Sequence, residues 1–321
     1  MAVTSANYIT HGGAQSWAPP IIFRNASLYG FVLKGDRKRM QALINRLLNE
    51  ACGGALDYAV ISDYALLYFA DFPHSYFESM SNMGWSSERE VGIWVPLVQL
   101  RTSAEGKKVV QLCCFTPYIF VDNPVALTTG RDVFGFFKEY GWIDMPASVV
   151  PSNGFRLETI AAKTYSADTQ IKRLPLLALQ PGAANAARAD SRPWTALRDA
   201  AECLGRVMGL PQGIEQTGAT WPDGGWDQLI ESGSPLVFLK QFRSISATPQ
   251  ACYQAIAQVS AQVDNFRGME LEPAYSFQLE PLASHPITSE LGLADQRAQL
   301  AFRVGFDMTF PGGEVLWTAG A

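Results

Sequence analysis

The stretch Leu300-Ala301-Phe302-Arg303-Val304-Gly305-Phe306-Asp307-Met308-Thr309-Phe310 alternates without interruption. Large apolar residues occupy every even position, and small or polar residues every odd one. Strict period two predicts a β-strand with one face packed and the other toward solvent or a lumen. Pro311-Gly312-Gly313 turns the chain into a further short strand at 314–317.

Working outward, strand patterning recurs at 27–33, 56–71, 90–100, 109–120, 174–179 and 234–243, with more strand and turn structure across 147–164. Glu105-Gly106 supplies a turn that pairs the third and fourth of these. Three helices are expected. One covers 37–50, capped by Asp36, with Met40, Leu43, Ile44, Leu47 and Leu48 on one face and Gly53-Gly54 beyond its end. A second covers 194–208. A third opens at Thr248-Pro249, with Cys252, Ile256, Val259, Val263 and Phe266 as its apolar face. Residues 72–88 read as a loop able to cover a pocket, and 180–190 as a loop or surface excursion. Residues 1–20 read as a flexible arm, and 21–321 as a single domain. Many strands with few helices predict a mostly β (α+β) fold, an antiparallel, closed or nearly closed sheet holding a small ligand in its mouth.

Composition narrows the function. The chain has 321 residues, 48% of them hydrophobic and 17% charged, enough for a large core. The net charge is −5 and no basic stripe exists, which argues against a nucleic-acid partner. No run reaches the ~18 apolar residues of a membrane span, and no secretory leader is apparent. Cys52, Cys113, Cys114, Cys203 and Cys252 form no C-x-x-C, and His11, His74 and His285 are scattered. No metal or other cofactor is expected, and reduced thiols fit a cytoplasmic protein.

The candidate chemistry lies in Gly130-Arg131-Asp132-Val133-Phe134-Gly135-Phe136-Phe137-Lys138-Glu139-Tyr140-Gly141-Trp142. A lysine packed among these aromatic residues would lose its hydration, which disfavours the ammonium and lowers the pKa. The free amine is then a nucleophile for a ketone or aldehyde, forming a Schiff base. The alternative is a lysine whose stem is buried and whose ammonium reaches water. Glu90 is the candidate acid/base, or else a solvated strand-end carboxylate. Arg131 is either a fork for a substrate carboxylate or an ion-pair partner of Asp132 or Asp122. Asp122-Asn123-Pro124 reads as a turn, His285 as a structural histidine, and Lys240 as a rival lysine of lower rank.

The order of these segments resembles the acetoacetate decarboxylase superfamily. Glu90-Val91-Gly92-Ile93-Trp94-Val95-Pro96 is similar to its Glu-x-Gly-x-x-x-Pro strand. Val121-Asp122-Asn123-Pro124, Gly130-Arg131-Asp132 and Phe137-Lys138-Glu139 stand where the family has Asp-Asn, Gly-Arg-Glu and Pro-Lys-Lys. Leu239-Lys240-Gln241-Phe242 and Ser284-His285-Pro286-Ile287 resemble segments of its longer members. The resemblance spans roughly 21–317. It implies a double-layered β-barrel or cone with a few flanking helices and Lys138 inside as the Schiff-base lysine. It implies Glu90 as an active-site glutamate and Arg131 as part of the family's Gly-Arg turn. Arg131, Phe136, Trp94 and Arg24 are the residues expected about the substrate. Arg24 is the residue nearest to an arginine that the family carries before its first strand. The implied activity is that of a lyase, decarboxylase-like, on a small oxo acid or related carbonyl compound. Aldol or dehydratase chemistry through the same iminium is an alternative, as is a non-catalytic binder of such compounds. Self-association is expected. Glu139 replaces the family's second lysine, the cation that in acetoacetate decarboxylase helps activate its neighbour. Desolvation alone is therefore expected to activate Lys138.

Overall fold

Several of the longest strands carry apolar residues at consecutive positions, so neither face can be left in water. The computed structural model describes residues 7–9, 16–146, 154–182 and 194–320, and among them it satisfies that demand with a sheet buried on both sides. The strands are β1 Ile21–Lys34, β2 Asp57–Val60, β3 Tyr64–Phe77, β4 Ser86–Ser103, β5 Gly106–Val121, β6 Lys138–Asp144, β7 Phe155–Ala161 and β8 Lys172–Pro181. They continue with β9 Leu236–Arg243, β10 Ala251–Val259, β11 Gln262–Leu271, β12 Tyr275–Leu279, β13 Gln296–Arg297, β14 Leu300–Phe310 and β15 Glu314–Thr318.

Their order is β11-β14-β1-β3-β4-β5-β6-β7-β8-β12-β13. β2 pairs with β4, and β9 leads from β5 through β10 to β15. Most ladders are antiparallel, but β5 runs parallel to both β6 and β9. The expectation of a closed antiparallel barrel or cone is corrected on two counts. The sheet is mixed, and its order has free ends at β11 and β13 instead of closing. The reason for the β5–β6 parallel ladder is local, whereas β9 reaches β5 only after a long excursion. After β5 the chain does not reverse through a hairpin; it crosses a short helix and re-enters beside β5 in the same direction.

Alternation along the central strands sorts residues to two cores. Tyr29, Phe31 and Leu33 of β1, Ala65, Leu67 and Phe69 of β3, and Val91, Ile93 and Val95 of β4 pack on one face. Leu28 and Val32, Leu66, Tyr68 and Phe72 pack on the other. The second face also bears the cavity described below.

The helix Arg37–Ile44 forms as expected, with Asp36 accepting from the backbone N–H groups of Lys38 and Arg39, and a π-turn extends it over Asn45–Asn49. Leu197–Val207 is also helical. The third expected helix, from Thr248, is absent. Its residues form β10 and β11, paired with β9 and β14. The spacing of Ile256, Val259 and Val263 fits a helix face, but the ladders offered by β9 and β14 override that local pattern. Residues 72–88 are a loop only in part. β3 runs on to Phe77, a short 3₁₀ turn covers Glu78–Met83, and β4 begins at Ser86. Most of the expected N-terminal arm, residues 147–153 of the expected strand-and-turn segment and residues 183–190 of the expected loop lie outside the described residues. Among the described residues no helix is long and apolar enough to cross a membrane.

Candidate active site

β4 contributes Glu88, Glu90, Gly92 and Trp94 to one face, because residues two apart on a strand point the same way. Across the sheet, Phe72 lies opposite Glu88, Ala70 opposite Glu90 and Tyr68 opposite Gly92. A Cβ at Gly92 would stand 2.4 Å from the Tyr68 hydroxyl, so only glycine leaves room for the phenol. That hydroxyl instead donates to Glu90 Oε1 at 2.7 Å.

On the other side of β5 the chain must deliver Lys138 to the same face. Asn123 caps the helix Pro124–Thr129, accepting from the N–H groups of Val125 and Ala126, with Pro124 in the first turn. A π-turn, Gly130–Phe134, follows and ends at Gly135, which adopts φ 95°. Lys138 then opens β6 opposite Ile119, whose side chain faces the cavity. Glu139 lies opposite Phe120 of the other core. One-residue alternation thus separates the two.

The result is a cavity of about 210 Å³ with Glu88, Glu90, Tyr68 and Lys138 at its polar end. That is just below the ~300–1,000 Å³ usual for small-molecule pockets. Phe23, Leu28, Phe72, Phe134, Phe306 and Phe310 make up much of the remaining wall. Lys138 is only 8% exposed, and its Nζ lies 2.7 Å from Glu90 Oε2. The ammonium also stands 5.8 Å from the centre of the Phe136 ring. Both the snorkelling lysine and the solvated strand-end glutamate are therefore excluded. Thr116 Oγ1 is buried along the cavity with no hydrogen-bond partner among the described residues. Trp94 Nε1 is likewise buried, close to the Tyr68 hydroxyl but not in hydrogen-bonding geometry with it.

Protonation differs from the expectation in an instructive way. Burial does pull the lysine pKa down, but the charges of Glu90 and Glu88 and the hydrogen bond to Glu90 outweigh it, and the net direction is upward. The resting site is an ammonium–carboxylate pair, not a free amine. Glu88 is 8% exposed, and its carboxyl makes no hydrogen bond among the described residues. Burial pushes its pKa up to about 7; the Lys138 charge holds it back, while Glu90 and Asp122 add to the rise.

Other candidates from the sequence are distributed as follows. Trp94 and Phe136 line the cavity. Arg131 does not; its guanidinium donates to the Lys138 carbonyl at 3.0 Å and borders a separate polar cleft. It forms no ion pair with Asp132 or Asp122 among the described residues. Arg24 also lies outside, 3.3 Å from Asp264 in an exposed pair. Asp122 accepts from the Arg89 backbone N–H at 2.7 Å, which ties the start of the connection to β4. His285 is structural, held between Ser284 Oγ at 2.9 Å and Glu139 at 3.2 Å. Lys240 donates to the Val133 carbonyl at 2.8 Å and does not line the cavity; burial lowers its pKa. Sequence reasoning missed Glu88 and Tyr68. The signal for Glu88 was present, since it precedes Glu90 by two residues on a strand.

No family model and no curated protein matches this chain. Solved structures do. Acetoacetate decarboxylase from Legionella pneumophila superposes with a TM-score of 0.62 at 16% identity, covering 100% of this chain and 94% of that one. The enduracididine biosynthesis enzyme MppR, complexed with pyruvate, gives 0.54 at 14% identity over 95% and 93%. An acetoacetate decarboxylase-like enzyme from Sphingomonas wittichii gives 0.51 at 12% over 97% and 98%. At these identities the likeness is one of architecture. The fold of this chain is that of acetoacetate decarboxylase and the enzymes similar to it.

Proposed function

We propose that this protein is a lyase that forms a Schiff base between Lys138 and a small carbonyl compound. The observation that carries the reading is the buried Lys138–Glu90 pair at the polar end of an otherwise apolar cavity. Transfer of one proton from Nζ to Glu90 Oε2 frees the amine within the cavity, and the Tyr68 hydrogen bond holds the carboxyl in place. The amine adds to the carbonyl carbon. The carbinolamine oxygen then takes a proton from an acid and leaves as water. Glu88 suits that step because its burial keeps it protonated up to about neutral pH. The iminium is an electron sink for the adjacent carbon, whichever bond breaks there.

Decarboxylation of an oxo acid is one outcome. Aldol cleavage or dehydration is the second, and the position of Arg24 and Arg131 outside the cavity favours it, because among the described residues no guanidinium lines the cavity to meet a carboxylate. The test is intact-protein mass after borohydride, with acetoacetate, pyruvate and a longer oxo acid offered separately. An adduct on the wild type that is lost in Lys138→Ala supports the imine, and product analysis then separates the reactions. Absence of any adduct, with neutral carbonyl probes included, would leave a non-catalytic carbonyl binder.

A further inference from the structure

The charge inventory of the cavity carries an inference about its substrate. Its acidic and basic side chains are Glu88, Glu90 and Lys138. Among the described residues the one cation is already paired with Glu90 at 2.7 Å. Conversion of the ammonium to an iminium conserves that positive charge, so the Glu88 and Glu90 carboxyls, which hold one negative charge between them before and after, remain its counterion. A substrate carboxylate would be a further anion in a water-poor space, with no cation left among the described residues to meet it and two carboxyl groups nearby. The arginines nearest in sequence or nominated from it are engaged elsewhere: Arg24 with Asp264, Arg131 with the Lys138 carbonyl, and Arg89, between Glu88 and Glu90, with Asp71 at 3.6 Å.

The walls point the same way. Leu28 and Phe72 from the sheet, Phe134 from the π-turn, and Phe306, Met308 and Phe310 from β14 offer only apolar surface. The unpartnered polar groups along the cavity, among the described residues, are the neutral Thr116 hydroxyl and the Trp94 indole N–H, both suited to a neutral substrate oxygen.

We infer that the natural substrate is a neutral ketone or aldehyde bearing an aryl or alkyl group, and not a free oxo acid. This rests on Lys138 being the imine-forming residue. In the covalent step a C–N bond forms, the carbonyl oxygen departs as water, and borohydride later delivers hydride to the iminium carbon.

The test uses a matched pair of probes, benzylacetone and benzylpyruvate, which differ in a methyl against a carboxylate beside the same ketone. Trapping with cyanoborohydride is followed by intact mass on the wild type and Lys138→Ala. The expected result is a Lys138-dependent adduct that forms at least ~10-fold faster with benzylacetone, since an unpaired buried like charge is strongly disfavoured. Equal or faster trapping of benzylpyruvate overturns the substrate class and leaves the imine standing. If neither probe is trapped, the imine reading fails, and quenching of the fluorescence of Trp17 and Trp94, which line the cavity, reports binding directly. Tighter binding of benzylacetone then supports a neutral apolar ligand, whereas equal or tighter binding of benzylpyruvate overturns it. A further variant, Met308→Arg, checked for folding by thermal melting, is expected to reverse the preference by supplying the missing cation.

Discussion

Glu88 shows how one buried carboxyl couples stability to chemistry. Its pKa rises from 4.5 to about 7 on folding. The folded chain therefore binds more protons than the unfolded chain between these values. The Glu88 contribution favours folding most below about pH 4.5 and is lost as pH rises through about 7. The shift corresponds to roughly 3 kcal/mol. Urea unfolding across this range should show wild-type stability falling with pH relative to Glu88→Gln; parallel profiles would remove the buried-acid assignment. Gly130 tests the lysine itself. An added Cβ would stand 2.4 Å from Lys138 Cδ and 2.8 Å from Cε, and the residue sits in ordinary right-handed helical backbone. Gly130→Ala should cost up to about 3 kcal/mol, because the displaced Lys138 side chain is buried and its pairing with Glu90 is weakened. Adduct formation should slow by ~10–100-fold, because the amine is moved off its Glu90 partner. An unchanged trapping rate would show that the lysine position is not critical.

At the scale of elements, the connection between β5 and β6 decides which face Lys138 reaches. Asn123 serves it twice, capping the helix through Oδ1 and donating from Nδ2 to Ser86 Oγ and the Ser87 carbonyl at 2.7 and 2.8 Å. Asn123→Ala should cost about 1–2 kcal/mol in urea unfolding. It should also slow trapping at Lys138, since the start of β4 and the start of the helix are joined through this side chain. A loss of stability with no change in trapping would separate the cap from the site. The side-chain-to-backbone bonds expected of Asp122-Asn123-Pro124 were legible from its residue types, but they cap a helix instead of closing a turn. The segment from Thr248 was not legible. Its apolar residues satisfy a helical spacing, and only the neighbouring β9 and β14 decide that it becomes strand.

The whole molecule places its aromatic core and its cavity on opposite faces of one sheet. Phe155 of β7 stacks within 5.0–5.6 Å of Tyr29, Phe31, Phe69 and Tyr275, so it fastens β1 and β3 to β7 and β12. Phe155→Ala should cost ~3–5 kcal/mol. Trapping at Lys138 should be nearly unchanged at temperatures where the variant stays folded, because the cavity lies across the sheet. A matching loss of trapping in the folded variant would show that the two faces are coupled. Sequence alone determined the β-rich class, the strict strand at Leu300–Phe310, the Asp36-capped helix, and the nomination of Lys138 and Glu90. Each of these depends on near neighbours or on the order of short motifs, and such information is written linearly. Only the tertiary structure decided that Glu88 and Tyr68 join them, that Arg24 and Arg131 stay outside, and that the lysine rests as an ion pair. Those outcomes depend on which strands lie side by side, and the charge state of a buried group is fixed by neighbours distant in the chain.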